Sequence, residues 1–180
     1  MDDKVPSPNS SAALSSTVRP HSAREGVITA IRFISLLLTS LLVGTMFGIW
    51  LGFNPAPLTA MAFVEIQQNA IRALNVSLPT LGFVCIVLTA ALAALTKHDK
   101  RTRYLLVAVV VLLVAAGLIT RFGNQPINAI VITWSPQAPA ANWTELRDAW
   151  WYWHVLRTIA GVVALALALL AAVGAHRRSE

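Results

Sequence analysis

The sequence predicts an all-α protein, a bundle of four transmembrane helices with short extra helices in the two outer connections. Of the 180 residues 56% are apolar and only 12% are charged, about half the charged fraction of an average soluble domain. The apolar residues also form blocks long enough to cross a bilayer core of about 30 Å. The four predicted spans cover about 27–53, 78–96, 104–120 and 155–175. These proportions exclude a conventional cytosolic enzyme, a secreted disulfide module and a nucleic-acid binder.

The spans contain few charges, and the residues before them have a different composition. The second and third spans are uncharged, whereas the first and the fourth contain one arginine each, Arg32 and Arg157. Residues 1–26 are rich in serine and proline, which predicts a flexible cytoplasmic tail in front of a membrane domain of residues 27–176. A cleaved signal peptide fits poorly, because the apolar run starts late and is longer than an h-region of roughly 7–15 residues.

The basic residues predict the orientation in the cell membrane. Ten of the fourteen lysines and arginines lie before or early in the first span, in the 97–103 link, or after the fourth span. Because cytoplasmic loops collect lysine and arginine, both termini and this link should be cytoplasmic. The sequence pI near 10.5 therefore indicates orientation, with no need for a nucleic-acid partner.

Neither a metal site nor a cofactor site is expected. The only cysteine, Cys85, has no partner for a disulfide or a CxxC redox pair. His154 is the one histidine away from the cytoplasmic side, which is too few for a zinc or bis-histidine haem site. An iron or copper site of His154, Glu65 and Asp148 lacks a supporting helical E-x-x-H pairing. No phosphate-binding loop or nucleophile elbow occurs, and no flavin or nicotinamide domain fits.

The first outer connection contains a polar stripe. Glu65, Gln68, Asn69 and Arg72 are spaced i, i+3, i+4 and i+7, and therefore share one face of a short helix. This helix either lies at the membrane surface with its stripe in water, or turns the stripe inward onto a pocket between the spans. In the second case Glu65 and Arg72 would need mutual or backbone hydrogen bonds.

The second outer connection begins with a polar interruption directly after the third span. Pro126 suits the first turn of a new helix, and Asn124 or Gln125 can cap that helix. Both asparagines of this segment could be caps and turn formers. Asn128, however, lies inside an apolar stretch, where a primary amide requires several hydrogen-bond partners.

The strongest pattern leads into the fourth span. Its members are spaced i, i+4, i+7, i+11 and i+14 and form a stripe of roughly 80° on one helix: Trp143, Arg147, Trp150, His154 and Arg157. Arginine stacked on indole can be purely structural. Trp151, Tyr152 and Trp153 point elsewhere and are typical of an aromatic belt at the membrane interface.

These groups together would suit a planar hydrophobic phenol or enol. A base removes a proton, cations and amides stabilise the oxyanion, and indoles stack on the rings. Such an enolate can react with dioxygen without a cofactor. The candidate base is His154 or Glu65, the candidate donors are Arg147, Arg157, Asn128 and Asn124, and the candidate walls are Trp143 and Trp150.

The same residues resemble the signature of the anthrone oxygenase-like integral membrane family over roughly residues 30–175. The specific part is the W-x3-R-x2-W-x3-H-x2-R run, accompanied by Asn124, Pro126, Asn128 and Trp134, and Glu65–Gln68–Asn69 resembles the family's other polar motif. The resemblance implies a membrane protein with an outer polar pocket and cofactor-independent oxidation of an anthrone to an anthraquinone.

From pattern and resemblance together we predict a site with two groups of residues. The catalytic group comprises His154 as the base, Arg147, Arg157 and Asn128; the substrate-binding group comprises Trp143, Trp150, Asn124, Glu65, Asn69 and Trp134. The partners are the lipid bilayer and a hydrophobic small-molecule substrate. The alternative is a non-catalytic membrane protein that binds a lipid or small molecule, or serves as a partner subunit.

Overall fold

Six α-helices and one π turn make up the described part of the chain. The computed structural model describes residues 23–97 and 99–176. The first helix begins at Ala23, so the last four residues of the predicted tail 1–26 are helical, and the others lie outside the described residues. The helices are α1 (Ala23–Gly52), α2 (Ala60–Leu74), α3 (Ser77–Leu95), α4 (Lys100–Ile119), α5 (Gln125–Val131) and α6 (Trp143–His176), with the π turn at Thr120–Asn124.

The predicted fold class is confirmed. Four helical segments are long and apolar enough to cross a membrane: Ala23–Gly52, Ser77–Leu95, Lys100–Val131 and Trp143–Gly174. The protein is therefore a multi-pass membrane protein. Of the two extra helices, α2 lies in the connection that follows the first span, whereas α5 forms the last part of the third segment. The last segment is one uninterrupted helix, so the stripe that starts at Trp143 continues into the membrane.

The four spans form a ring in which α1 and α4 each pack against both α3 and α6. The centre is apolar and includes Leu42, Met46 and Leu113. Among the described residues, the buried hydroxyl groups in this part all have a hydrogen-bond partner. Ser35 and Thr89 share a 3.0 Å hydrogen bond, so neither hydroxyl is left without a partner in an environment that has little water.

The third apolar segment differs from its predicted form. It does not end at residue 120; it passes through the π turn directly into α5. Asn124 has helical backbone angles and makes no capping hydrogen bond, so its predicted role as a cap is wrong. Its side-chain amide instead donates to the Trp150 carbonyl at 3.0 Å. Pro126 lies in the first turn of α5, where a missing N–H is tolerated.

The π turn brings the backbone against α6. A Cβ atom placed on Gly123 would lie 2.6 Å from the indole of Trp153, closer than any packed carbon contact. Only glycine therefore permits this approach. Trp153 is consequently packed against the π turn, and its expected place in an aromatic belt stays a prediction.

The outer connections pack on each other above the bundle. Thr59 caps α2 by accepting a hydrogen bond from the Ala62 amide at 3.3 Å. The buried face of α2 comprises Phe63, Val64, Gln67, Gln68 and Ile71. Its apolar members join Ile127, Val131 and Trp150 in a cluster separate from the core of the spans. We call α2, α5 and the first turns of α6 the outer cap.

Replacing Gly123 tests the close approach of the π turn to α6. Alanine at a helical glycine normally stabilises by about 1 kcal/mol. We expect Gly123→Ala to destabilise instead, by about 1–3 kcal/mol, because the added methyl group overlaps the Trp153 ring. The measurement is the thermal unfolding midpoint in detergent.

Gly48→Ala is the matched control, since a Cβ atom there meets nothing within 4 Å. A thermal unfolding midpoint of Gly123→Ala that equals or exceeds that of Gly48→Ala would contradict the close contact between Gly123 and Trp153.

Candidate functional site

A cavity of about 380 Å³ lies between the outer cap and the ends of the spans, a volume in the range of small-molecule sites. Its walls are mostly apolar and include Ile49, Phe53, Phe63 and Trp150. Six polar side chains interrupt them: Gln67, Asn69, Asn75, Thr120, Asn128 and Arg157. An apolar cavity with a few convergent polar groups is the usual form of a binding site for a hydrophobic ligand.

Arg157 is the cation of this cavity and is itself only 8% exposed. Its Nε and Nη2 atoms donate to His154 Nδ1 at 3.3 and 3.0 Å. Its Nη1 atom donates to Thr120 Oγ1 at 3.2 Å. The guanidinium is thereby held between α6 and the start of the π turn.

The charge of Arg157 has no carboxylate beside it. Its hydrogen-bond acceptors are the neutral groups of His154 and Thr120, and no acidic side chain of the described chain lies within ion-pairing distance of it. A buried charge of this kind is costly unless it is paired. Three of the five guanidinium N–H donors are used in these contacts. The remaining two are available to an acceptor in the cavity.

His154 is fully buried and does not line the cavity. Because Arg157 donates to Nδ1, that nitrogen holds a lone pair, and Nε2 is left to donate to the Met46 carbonyl at 3.2 Å. The ring is therefore neutral. Trp150 stacks on one side of it at 5.2 Å between centroids, and Trp151 stacks at 5.6 Å. These contacts orient the imidazole so that it in turn orients Arg157.

Asn128 connects the polar groups of the cavity wall. Its Oδ1 atom accepts from Trp150 Nε1 at 2.9 Å and from Gln67 Nε2 at 3.2 Å. Its Nδ2 atom donates to Asn75 Oδ1 at 3.0 Å. An amide inside an apolar stretch was expected to require several partners, and it has three. The network joins α5 to α2, to the segment before α3, and to α6.

The polar stripe on α2 is divided between the inside and the outside. Gln68 is buried, and its amide nitrogen contacts the carbonyls of Val131, Ile132 and Trp134 at 3.1, 3.4 and 2.8 Å. Glu65 is exposed, so the inward interpretation does not hold for it.

Arg72 is also exposed and reaches back along α2. It donates to Gln68 Oε1 at 3.3 Å and to Asn69 Oδ1 at 3.4 Å. Asn69 is the stripe residue that contacts the cavity.

The beginning of the α6 stripe lies outside the cavity. Arg147 forms an ion pair with Asp148 at 2.8 Å and covers the Trp143 ring at 5.0 Å. It also donates to the Ala56 carbonyl at 3.3 Å, which ties α6 to the α1–α2 connection. Trp143 contacts Phe63. Of the five stripe residues, Trp150 and Arg157 line the cavity.

Asn124 lies beside the site and is 1% exposed. Its Oδ1 atom is buried without a hydrogen-bond partner in the described chain. Trp134 contributes its carbonyl to Gln68 and packs in the apolar cluster of the cap. Neither Asn124 nor Trp134 lines the cavity.

A family model described as "Anthrone oxygenase" matches residues 68–167, which is more than half of the chain. The chain belongs to the anthrone oxygenase family. The matched range includes Asn75, Thr120, Asn128 and Arg157, and thus most of the polar wall of the cavity. A search of the curated proteins gave no match, and a search of the solved structures gave none.

The family resemblance stated from the sequence is confirmed, whereas the assignment of individual site residues stays a prediction. Three polar residues of the cavity wall were not predicted: Gln67, Asn75 and Thr120. Gln67 adjoins Gln68 in sequence, and an amide beside the proposed stripe was a signal that could have identified it. Thr120 ends an uncharged span and Asn75 lies between helices, so no spacing marks them. Among the described residues no three histidine, cysteine, aspartate or glutamate side chains converge as a metal site.

Removing the Asn128 amide tests the network of the cavity wall. Asn128→Leu introduces an apolar side chain of similar size. It leaves the Trp150 indole N–H without its acceptor, at a cost of about 1–3 kcal/mol. We expect a lower thermal midpoint and a changed near-ultraviolet circular dichroism signal, because Trp150 loses its anchor.

Asn69→Leu is the control, since Asn69 is exposed and, within the described part of the chain, its amide oxygen accepts only from Arg72. Equal losses in the two variants would argue against a special role of the Asn128 network.

Proposed function

We propose that the protein oxidises a flat, hydrophobic phenol or enol of the anthrone type with dioxygen, without a cofactor. The observation that supports this most directly is the Arg157 guanidinium, which faces an apolar cavity and has no carboxylate partner among the described residues. A ligand oxygen that gains negative charge during a reaction would supply the missing counter-charge. Membership of the anthrone oxygenase family agrees with this chemistry.

The reaction consumes one dioxygen molecule for each anthrone. Loss of a proton from the ring carbon to water gives an enolate, whose negative charge on oxygen is stabilised by Arg157. The enolate carbon transfers electrons to dioxygen and forms a carbon–oxygen bond, giving a hydroperoxide after protonation. Cleavage of its oxygen–oxygen bond, with loss of the remaining hydrogen on that carbon, releases water and leaves the quinone carbonyl. One oxygen atom enters the product and the other enters water.

The other cavity residues have supporting roles in this proposal. Trp150 and Phe63 provide flat walls for the rings, and the Asn128 network fixes the position of Trp150. His154 is a positioning residue, which departs from the base predicted from the stripe, because its Nδ1 lone pair is occupied by Arg157. Arg147 and Trp143 stabilise the cap that covers the cavity.

The same cavity also suits a second function, binding without reaction. An anionic or enolic hydrophobic molecule would satisfy Arg157 whether or not dioxygen attacks it. This candidate shares the supporting observation with the first one, so turnover decides between them.

We also propose that the protein resides in the cell membrane with both termini and the 97–103 link in the cytoplasm. The supporting feature is the charge distribution, since ten of fourteen basic residues fall on that side. The cavity then opens at the outer half of the membrane, near the cap.

Oxidation of an anthrone by the purified protein tests the enzymatic proposal. We expect oxygen uptake and the appearance of quinone absorbance in detergent or nanodiscs, and a rate lower by about 10²–10³ in Arg157→Gln, because glutamine can donate to His154 but has no charge. Uptake no faster than in empty nanodiscs, combined with saturable binding of the anthrone, would support the binding function instead.

The same assay separates the two roles of His154. His154→Asn can place an amide oxygen near Nδ1 and accept from Arg157, whereas His154→Leu cannot. If His154 positions Arg157, the asparagine variant retains activity within about tenfold of the native protein and the leucine variant falls towards Arg157→Gln. Equal, complete losses in both variants, with quinone binding retained, would restore His154 as the base.

A fusion to the C-terminus tests the orientation. A fluorescent protein that matures only in the cytoplasm should be bright there, and alkaline phosphatase, which needs an oxidising compartment, should be inactive. The reverse pair of results would invert the proposed topology and place the cavity on the cytoplasmic side.

A further inference from the structure

A second cavity of about 260 Å³ lies inside the ring of spans, directly below the first. The two cavities share four lining residues, Leu78, Pro79, Thr120 and Arg157. The Arg157 guanidinium therefore stands at their junction, and a molecule bound to it in the first cavity has a second space beside it.

Three different spans contribute glycines to the wall of the second cavity: Gly82 from α3, Gly117 from α4 and Gly161 from α6. A Cβ atom on Gly117 would meet nothing within 4 Å, and one on Gly82 would come only to 3.8 Å from Leu42, whereas one on Gly161 would meet Met46 at 3.2 Å. Gly82 and Gly117 therefore leave space in the wall, and the lining is mainly aliphatic, with groups such as Met46 and Leu113.

This cavity opens sideways, between α3 and α4. Phe83 on α3 is 67% exposed, and Gly117 and Arg121 on the facing part of the third segment are exposed as well. Both helices are long and apolar enough to cross the membrane. The part of the opening at Phe83 and Gly117 therefore faces the hydrocarbon of the bilayer, and the exposed Arg121 marks its end towards the membrane surface.

We propose that the ligand is an amphiphile drawn from the bilayer, with a polar aromatic head at Arg157 and a hydrocarbon tail in the second cavity. The tail would leave the protein between α3 and α4. The nature of the head rests on the proposed function; the tail site rests on the shared lining, the space beside Gly82 and Gly117, and the lateral opening. Moving the tail from lipid to an equally apolar cavity adds little to the affinity of the ligand. Occupation of the second cavity by the tail is therefore tested by filling that cavity with a larger side chain and measuring the loss of binding.

The experiment measures binding rather than turnover. A monohydroxyanthraquinone and its decyl-substituted analogue are titrated into protein in nanodiscs, with empty nanodiscs correcting for partition into lipid. Gly117→Leu fills the mouth of the second cavity, and Gly82→Leu fills it from the opposite helix. Gly44→Leu is the control, because Gly44 is an exposed glycine of a span with nothing within 4 Å of its Cβ position.

We expect Gly117→Leu and Gly82→Leu to weaken binding of the decyl ligand by about tenfold or more. Binding of the short ligand should be unchanged, which also shows that both variants are folded. Gly44→Leu should change neither affinity. Native-like binding of the decyl ligand by both cavity-filling variants would overturn the tail site.

Arg157→Gln separates this inference from the proposed function. If Gly117→Leu weakens binding of the decyl ligand while Arg157→Gln weakens binding of neither ligand, the tail site is supported and the proposed head site is overturned. If Arg157→Gln weakens binding of the short ligand, while neither glycine variant weakens binding of the decyl ligand, only the tail site is overturned. Absence of binding by both ligands to the native protein would overturn both.

Discussion

The hydrogen bonds of the Arg157 guanidinium are the interactions on which the outer half of the structure depends. Through His154 it reaches the Met46 carbonyl of α1, and through Thr120 it reaches the end of α4. Three of the four spans are thus joined by one side chain. Because every acceptor in this chain of contacts is neutral, the positive charge is solvated by hydrogen bonds but not neutralised. Membrane interiors tolerate such a group only at a cost in stability, and that cost is characteristic of functional sites.

The remaining polar groups of the site follow a different principle. Asn128 and Gln68 each bond to several partners, so their amides are satisfied within the protein. They fix the walls of the cavity without adding charge to it. The outcome is a rigid neutral frame around a single cation. Such preorganisation allows a charge that develops on a ligand to be stabilised without rearrangement of the site.

Much of the fold was predictable from the sequence, because the length and apolar character of the spans are imposed by the bilayer. The continuity of α6 followed in the same way from the absence of proline and glycine between residues 143 and 160. The end of the third span was not predictable: Gly123 and Pro126 usually interrupt helices, but Gly123 lies within the π turn and Pro126 lies in the first turn of α5, so the segment continues.

The sequence indicated which helix face is polar, but it did not indicate which residues of that face line a cavity. The stripe on α6 includes two residues that line the cavity, Trp150 and Arg157. Its extent covers about 21 Å along the helix, so Arg147 contacts a loop while Arg157 reaches the cavity. Whether a stripe residue lines a cavity depends on partners from distant segments, such as Thr120 for Arg157. The position of Gln68 likewise depends on a distant segment. The three carbonyls that it binds lie at the end of α5 and in the turn after it, and α3 and α4 separate them from α2 in the chain. During synthesis α2 emerges long before its acceptors exist, so the site can be completed only after the third span has entered the membrane.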